Sequence, residues 1–410
     1  MMVFIISCLE FLIRWLHLIA GIAWIGSSFY FVWLDNSLEK PPKEKEDKGV
    51  LGDIWSIHGG GIYEIAKYKS SPPTLPEKLH WFKWEAYATW ITGMLLMLVF
   101  YYVNAKLYLI DGDSWLTSPA LAIAASLGFI VFGVMVHEVF VRSLGVKKSK
   151  LFAILFGLAV FFFCWLSCQL FGNRAAFLHV GALLGTIMVS NVFLGIIPAQ
   201  KYFVACLESG ETPLMDKALA AKARSVNNNY LTLPVLFCMI SNHYSFLYGH
   251  PFNWLVLFSI MALSAYARHF FNLRHRGVFK PSVLILAMIG FILLMSVTYM
   301  TSGIKVVSKT NQQVLTAPVV ESIKENNNSV DSNNQIMSLV NKHCQECHAA
   351  KPTSVMFTAP PAGVMFDTLE QVMQQKLNIV TVTSSNYMPL GNLTNMTDEE
   401  RKRLVELLKE

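Results

Sequence analysis

The chain has 410 residues, 54% of them hydrophobic and 15% charged, with a mean hydropathy of +0.43. These figures exclude an ordinary soluble globular protein and a disordered one. The net charge of +6 is concentrated in short loops between apolar runs, so it points to membrane topology and not to nucleic acid.

Residues 1–303 contain eight apolar runs, each near the length that spans a bilayer core of ~30 Å. They lie near 3–34, 83–103, 117–140, 151–171, 177–199, 230–246, 253–270 and 281–301. The predicted fold class is therefore all-α: a polytopic bundle of about eight transmembrane helices followed by a small all-α domain. Pro119, Pro198, Pro234, Pro251 and Pro281 fall near the predicted helix ends, where the missing N–H costs little. The first run has no basic leader and no small-residue cleavage site after it, and it is longer than a signal-peptide core, so it reads as a span. The stretches 35–80, 141–150, 200–229 and 268–280 carry 19 Lys or Arg, whereas the opposite loops carry only Lys106 and Arg174. By the positive-inside rule the first set is cytoplasmic. Eight spans then put both termini outside.

Residues 304–334 are polar and Asn-rich without apolar periodicity, and read as a flexible linker. Residues 335–410 form a separate domain containing Cys344-Gln345-Glu346-Cys347-His348. C-x-x-C-H is a haem-attachment pattern. Two thiols on one helical turn add to the haem vinyl groups, and the following histidine supplies an axial nitrogen. Covalent attachment of haem c takes place outside the cytoplasm, in agreement with the topology. Met388, in Tyr387-Met388-Pro389-Leu390-Gly391, is the expected second axial ligand. Met356, Met365, Met373 and Met396 compete for the role. The last helix opens with Thr397-Asp398-Glu399-Glu400, a capping box, and its apolar face is Leu404, Leu407 and Leu408. The domain resembles class I cytochromes c.

In the membrane half, ionisable residues are functional candidates because lipid penalises them. Glu10, Arg14 and His17 share one helix face, where Glu10 and Arg14 can neutralise each other. Asn173, Arg174, His179 and His243 gather near the predicted outer face. His58, Glu85, His137, Glu138, Arg224, Asn228, Asn229 and Tyr230 gather near the inner one. Gly59-Gly60-Gly61 would leave backbone amides open to a planar or anionic ligand. Cys8, Cys164, Cys168, Cys206 and Cys238 read as small hydrophobes.

Four stretches carry a resemblance: Trp15-Leu-His-Leu-Ile-Ala-Gly-Ile-Ala-Trp-Ile-Gly26, Trp84-Glu-Ala-Tyr-Ala-Thr-Trp90, Asn173-Arg-Ala-Ala-Phe-Leu-His179 and Asn228-Asn-Tyr-Leu-Thr-Leu-Pro-Val-Leu236. Together with Met239-Ile-Ser-Asn-His-Tyr244, they resemble the membrane-bound urate hydroxylases, or cytochrome c urate oxidases, over nearly the whole chain. The one departure is Asn227, where that pattern often has His. The resemblance implies oxidation of urate to 5-hydroxyisourate at a bacterial inner membrane. Electrons would pass through a periplasmic fused cytochrome to a soluble cytochrome c or a terminal oxidase, without peroxide. Within it, His58, Glu85 and His137 are the candidate bases, and Arg224, Lys67 and the Gly-rich loop the candidate holders of the urate anion. A second haem, of b type, on two of His17, His179 and His243 would carry electrons from an inner-face site across the bilayer. Two other readings remain open: a quinol-oxidising membrane cytochrome, and a non-enzymatic tethered electron carrier.

Overall fold

The computed structural model describes residues 2–110, 116–275, 277–301, 326–354, 360–361 and 364–409. A long helix follows each apolar run. They are α1 (Met2–Ser37), α2 (Trp84–Leu96, continued by a π turn Met97–Tyr102), α3 (Pro119–Leu144), α4 (Ser149–Leu170) and α5 (Asn173–Ser190). The helix α5 runs on through a π turn (Asn191–Ile196) into Ile197–Glu208. Then come α6 (Met215–Ile240), α7 (Asn253–His275) and α8 (Pro281–Thr301).

Six of the eight are long and apolar enough to cross a membrane. The other two depart for identifiable reasons. The α-helical part of α2 stops at its π turn. Helix α6 begins well before the expected 230 and ends at Ile240 instead of 246. Its first half carries Lys217, Lys222, Arg224 and Asn227–Asn229, which hid it from a search for apolar runs. Arg224 and the three asparagines are nevertheless buried, because neighbouring helices supply their partners.

Helix α5 lies at the centre, against α3, α4 and α6. Its Phe177, Val180, Leu183, Leu184 and Ile187 are almost wholly buried. Gly133 of α3 admits Leu183: a Cβ at that position would lie 2.4 Å from the Leu183 side chain. Small residues at such crossings let membrane helices approach closely. By contrast, Phe11, Leu18 and Ile22 of α1 and Ile292 and Met300 of α8 are exposed, as a lipid-facing surface requires.

Between α1 and α2 stands an antiparallel hairpin, β1 (Val50–His58) and β2 (Gly61–Tyr68), with His58 opposite Gly61. Gly59 and Gly60 both have positive φ, 58° and 80°. A two-residue hairpin turn of that hand requires such values. The turn therefore accounts for the glycine run that the sequence suggested as a ligand-binding loop.

The C-terminal module comprises α9 (Asn326–His343), the short helix Gln345–His348, α10 (Leu369–Gln374), α11 (Lys376–Ser384) and α12 (Asp398–Lys409). Ile336, Val340, Phe366, Val372, Leu404 and Leu408 form its core. Helix α9 starts at Asn326, inside the stretch 304–334 expected as a linker, and runs on into the module. The rest of the predicted linker, 304–325, lies outside the described residues. The capping box at α12 forms as read, with Glu400 N donating to Thr397 Oγ1 (3.2 Å) and Thr397 N to Glu400 Oε2 (2.9 Å). The module is seated on one end of the bundle, where the Tyr387 ring meets Tyr248 at 5.4 Å between centroids.

Candidate functional site

The C-x-x-C-H motif starts where α9 ends. The short helix after it is held by His348 N donating to Cys344 O at 2.9 Å, which places both cysteines and the histidine on one turn. Both cysteines are free thiols. Burial pushes the Cys344 thiol up to about 12 and raises that of Cys347. Burial likewise lowers the basicity of His348, whose Nδ1 donates to Val364 O at 2.9 Å. Fixing Nδ1 as the protonated nitrogen leaves Nε2 as the one able to bind a metal. The donor set therefore fits a covalently held haem: two unpaired thiols three residues apart and an imidazole with a fixed tautomer.

Among the methionines, Met396 is buried in the module core and Met373 is exposed on α10. Met365 is exposed, and Met356 lies outside the described residues. Met388 sits in a braced loop: its N–H donates to Val382 O at 2.9 Å and its carbonyl accepts from Arg401. Arg401, buried on α12, also donates to Asn392 Oδ1 at 3.1 Å.

The loop bearing Met388 closes a cavity of about 150 Å³ against the bundle, lined among others by Tyr101, Tyr108, Arg174, Tyr387, Asp398 and Arg401. Arg174 Nη1 donates to Tyr387 Oη at 3.3 Å, and its guanidinium lies 5.6 Å from the Phe100 ring centre. Arg174 Nε is buried without a hydrogen-bond partner. Burial raises the phenols of Tyr108 and Tyr248, so both stay protonated and can donate. A second interface cavity, of about 480 Å³, is lined by Cys168, His250, Trp254 and Lys409 among others.

Toward the other end of the helices, Arg224 donates to both carboxylate oxygens of Glu138 at 2.8 Å and to Asn191 Oδ1 at 2.9 Å. Asn191 is brought in by the π turn of α5 and donates to Asn228 at 2.8 Å. Gly195, in the same turn, leaves room for the arginine, since a Cβ there would fall 2.2 Å from Arg224 Cδ. His137 bonds to the Asn227 amide at 2.8 Å, and its Nδ1 is buried without a partner. Asn229 accepts from Arg268 and donates to Asn272, both at 2.7 Å.

Residues 3–302 match the family described as urate oxidase N-terminal. The chain belongs to that family. The match covers the whole helical bundle and stops short of the C-terminal module. No curated protein and no solved structure matches the chain.

The residues that the urate reading singled out in this family domain fall in several places. His137 and Arg224 come together around Glu138 and Asn227. Glu85 opens α2, 3.9 Å from exposed His80, with its Oε2 buried and unpartnered. His58 lies at the exposed end of β1. The three imidazoles suggested for a membrane haem have separate surroundings. His17 Nδ1 donates to Thr89 O of α2 at 2.9 Å. Both nitrogens of His179 are engaged: Nδ1 with Ala175 O and Nε2 with Ser126 Oγ, each at 2.7 Å. His243 is exposed in the turn after α6. No group of three or more His, Cys, Asp or Glu able to hold a metal ion occurs among the described residues. Arg14 lies over the Phe100 ring at 5.7 Å, and among the described residues it forms no direct ion pair with Glu10.

Sequence reasoning missed Asn191, His250 and Arg401. Asn191 was visible as a lone amide in an apolar run. Arg401 shares the stripe of Leu404 and Leu408, where a charge signals a specific buried partner. His250 gave no such signal. Its two nitrogens are engaged by Thr301 Oγ1 (2.9 Å) and Phe252 N (3.0 Å).

Proposed function

We propose that this protein oxidises urate to 5-hydroxyisourate at a bacterial inner membrane and passes the electrons to its own C-terminal c-type cytochrome instead of to dioxygen. The observation that carries this reading is the pairing, in one chain, of a urate-oxidase-family bundle with a C-x-x-C-H turn whose His348 is oriented for ligation. The quinol-oxidising and anchor readings explain the motif but not the family match. Lysine and arginine cluster in one set of loops, which supports placing the module and both termini in the periplasm.

The residues suited to hold haem c are Cys344, Cys347, His348 and Met388. When bound, it supplies a one-electron acceptor, which a soluble cytochrome c or a terminal oxidase would then reoxidise. The balance is urate monoanion plus water giving 5-hydroxyisourate, one proton and two electrons, so the electrons leave in two steps. The Arg401–Met388 carbonyl bond and the Val364–His348 bond fix the loops that bear the two side chains that would hold the haem iron.

The test is to mix oxidised full-length protein with urate under anaerobic conditions and follow the haem Soret and alpha bands. Urate is expected to reduce the haem without oxygen, and aerobic turnover to release no peroxide. Stoichiometric peroxide, or haem that quinol reduces and urate does not, would overturn the assignment.

A further inference from the structure

The geometry points to the cavity between the bundle and the C-terminal module as the urate-binding site, with Arg174 as the residue that holds the urate anion. This rests on the urate reading above and adds the place and the residues.

Arg174 is a cation at the end of a membrane helix, where an uncompensated charge is costly. Among the described residues no carboxylate lies within ion-pair distance of it. Its neighbours are the Tyr387 phenol, the Phe100 ring and the cavity, which Asp398 and Arg401 also line, and its Nε is buried without a partner. Arg224 makes the contrast. That guanidinium is also buried, but Glu138 neutralises it at 2.8 Å and Asn191 takes a further N–H, so it has little left for a substrate.

Urate is flat, anionic at neutral pH and edged with carbonyls and N–H groups. The cavity offers aromatic faces and hydroxyls from Tyr101, Tyr108 and Tyr387, and a planar guanidinium fork that can serve a carbonyl and an adjacent ring nitrogen together. A volume of 150 Å³ is one that admits a benzene-sized ring. The cavity is partly open, so the second ring of urate can extend toward its mouth. The 480 Å³ cavity is larger, but both nitrogens of its His250 are already engaged.

Tyr387 lines the cavity, bonds Arg174 and directly precedes Met388, the expected iron ligand. Urate bound here gives up its electrons beside the cytochrome loop. No relay through the bundle is then required, in keeping with the separate settings of His17, His179 and His243.

Urate binding to full-length, haem-loaded protein, reduced beforehand with dithionite so that no turnover occurs, is measured by anaerobic equilibrium dialysis. Arg174→Gln is expected to weaken Kd at least tenfold and Arg174→Lys to recover part of the loss. Ile110→Trp, which fills the cavity and leaves the Arg174–Tyr387 bond in place, is expected to weaken it similarly. The Met–iron charge-transfer band of the oxidised protein reports whether the module is intact, and Ile110→Trp decides the matter if Arg174→Gln loses that band. Kd within twofold of wild type in Ile110→Trp, with the band retained, would overturn this site while leaving urate oxidation standing. Wild-type protein that neither binds urate nor is reduced by it would overturn both.

Discussion

Removing the Glu138 carboxylate tests how the bundle tolerates a buried arginine. The Arg224 side chain is 7% exposed and Glu138 16%, and the two form a forked pair with both bonds at 2.8 Å. In Glu138→Ala the guanidinium keeps Asn191 as a partner but has no counter-charge in a water-poor setting. Breaking a buried pair from one side costs about 3–5 kcal/mol, because the remaining charge stays desolvated. Glu138 also pairs with Arg142 one turn along α3, at 2.6 Å, but that arginine is 66% exposed. An exposed i,i+4 pair is worth about 0.3–0.5 kcal/mol. Both variants lose that exposed pair, so Glu138→Ala should exceed Arg142→Ala by roughly 3–5 kcal/mol. The assay is SDS-induced unfolding in mixed micelles, read by tryptophan fluorescence. The double variant Glu138→Met/Arg224→Met should lose far less than Glu138→Ala, since both charges go together. Equal, mild losses for Glu138→Ala and Arg142→Ala would refute the claim that Arg224 is committed to Glu138.

Gly195→Ala should weaken the same pair by displacing Arg224, at a cost of about 1–3 kcal/mol in the same unfolding titration. Met388→Ala should keep haem attached through Cys344 and Cys347, abolish the Met–iron charge-transfer band and lower the reduction potential; an unchanged spectrum would move the ligand to another methionine. In the module, the Lys342 ammonium and the Thr397 amide hold the Glu400 carboxyl down to about 2. A carboxyl depressed on folding stabilises above its ordinary value of 4.5, and that contribution is lost as pH falls toward 2. Wild type should thus be more stable than Glu400→Gln at pH 7, the gap closing below 4.5, as read by unfolding at the haem absorbance.

Much of the fold was legible because lipid imposes a simple rule. A span must satisfy its own backbone bonds and bury few charges, so six of the eight runs fell on their helices within about five residues, while α5 runs on to Glu208, past its expected end at 199. The exception, α6, shows where the rule fails. Asn227, Asn228 and Asn229 read as a helix edge, but each meets an amide, imidazole or carbonyl on a neighbouring helix, and composition carries no record of such partners. The hairpin at 50–68 is hidden for a related reason: Gly59-Gly60 suits a ligand loop as well as a turn, and only the pairing of β1 with β2 decides between them. The C-x-x-C-H turn was legible as a motif because it is local, five consecutive residues that the structure folds into one turn.

The candidate site divides along the same line. Sequence could place Arg174 and Arg224 near opposite faces, but not say which of them was spent. That depends on Glu138, a full 86 residues from Arg224 in the chain, and on the π turn that brings Asn191 between them. It depends equally on Tyr387, 213 residues beyond Arg174, whose hydroxyl takes one N–H and leaves Nε unpaired. The module brings that tyrosine to the bundle on the residue before Met388. The contact that closes the cavity around Arg174 is therefore built on the loop expected to ligate the iron. Displacing that loop should disturb both the anion site and the axial ligand, so urate affinity and the Met–iron band should change together in variants of Tyr387.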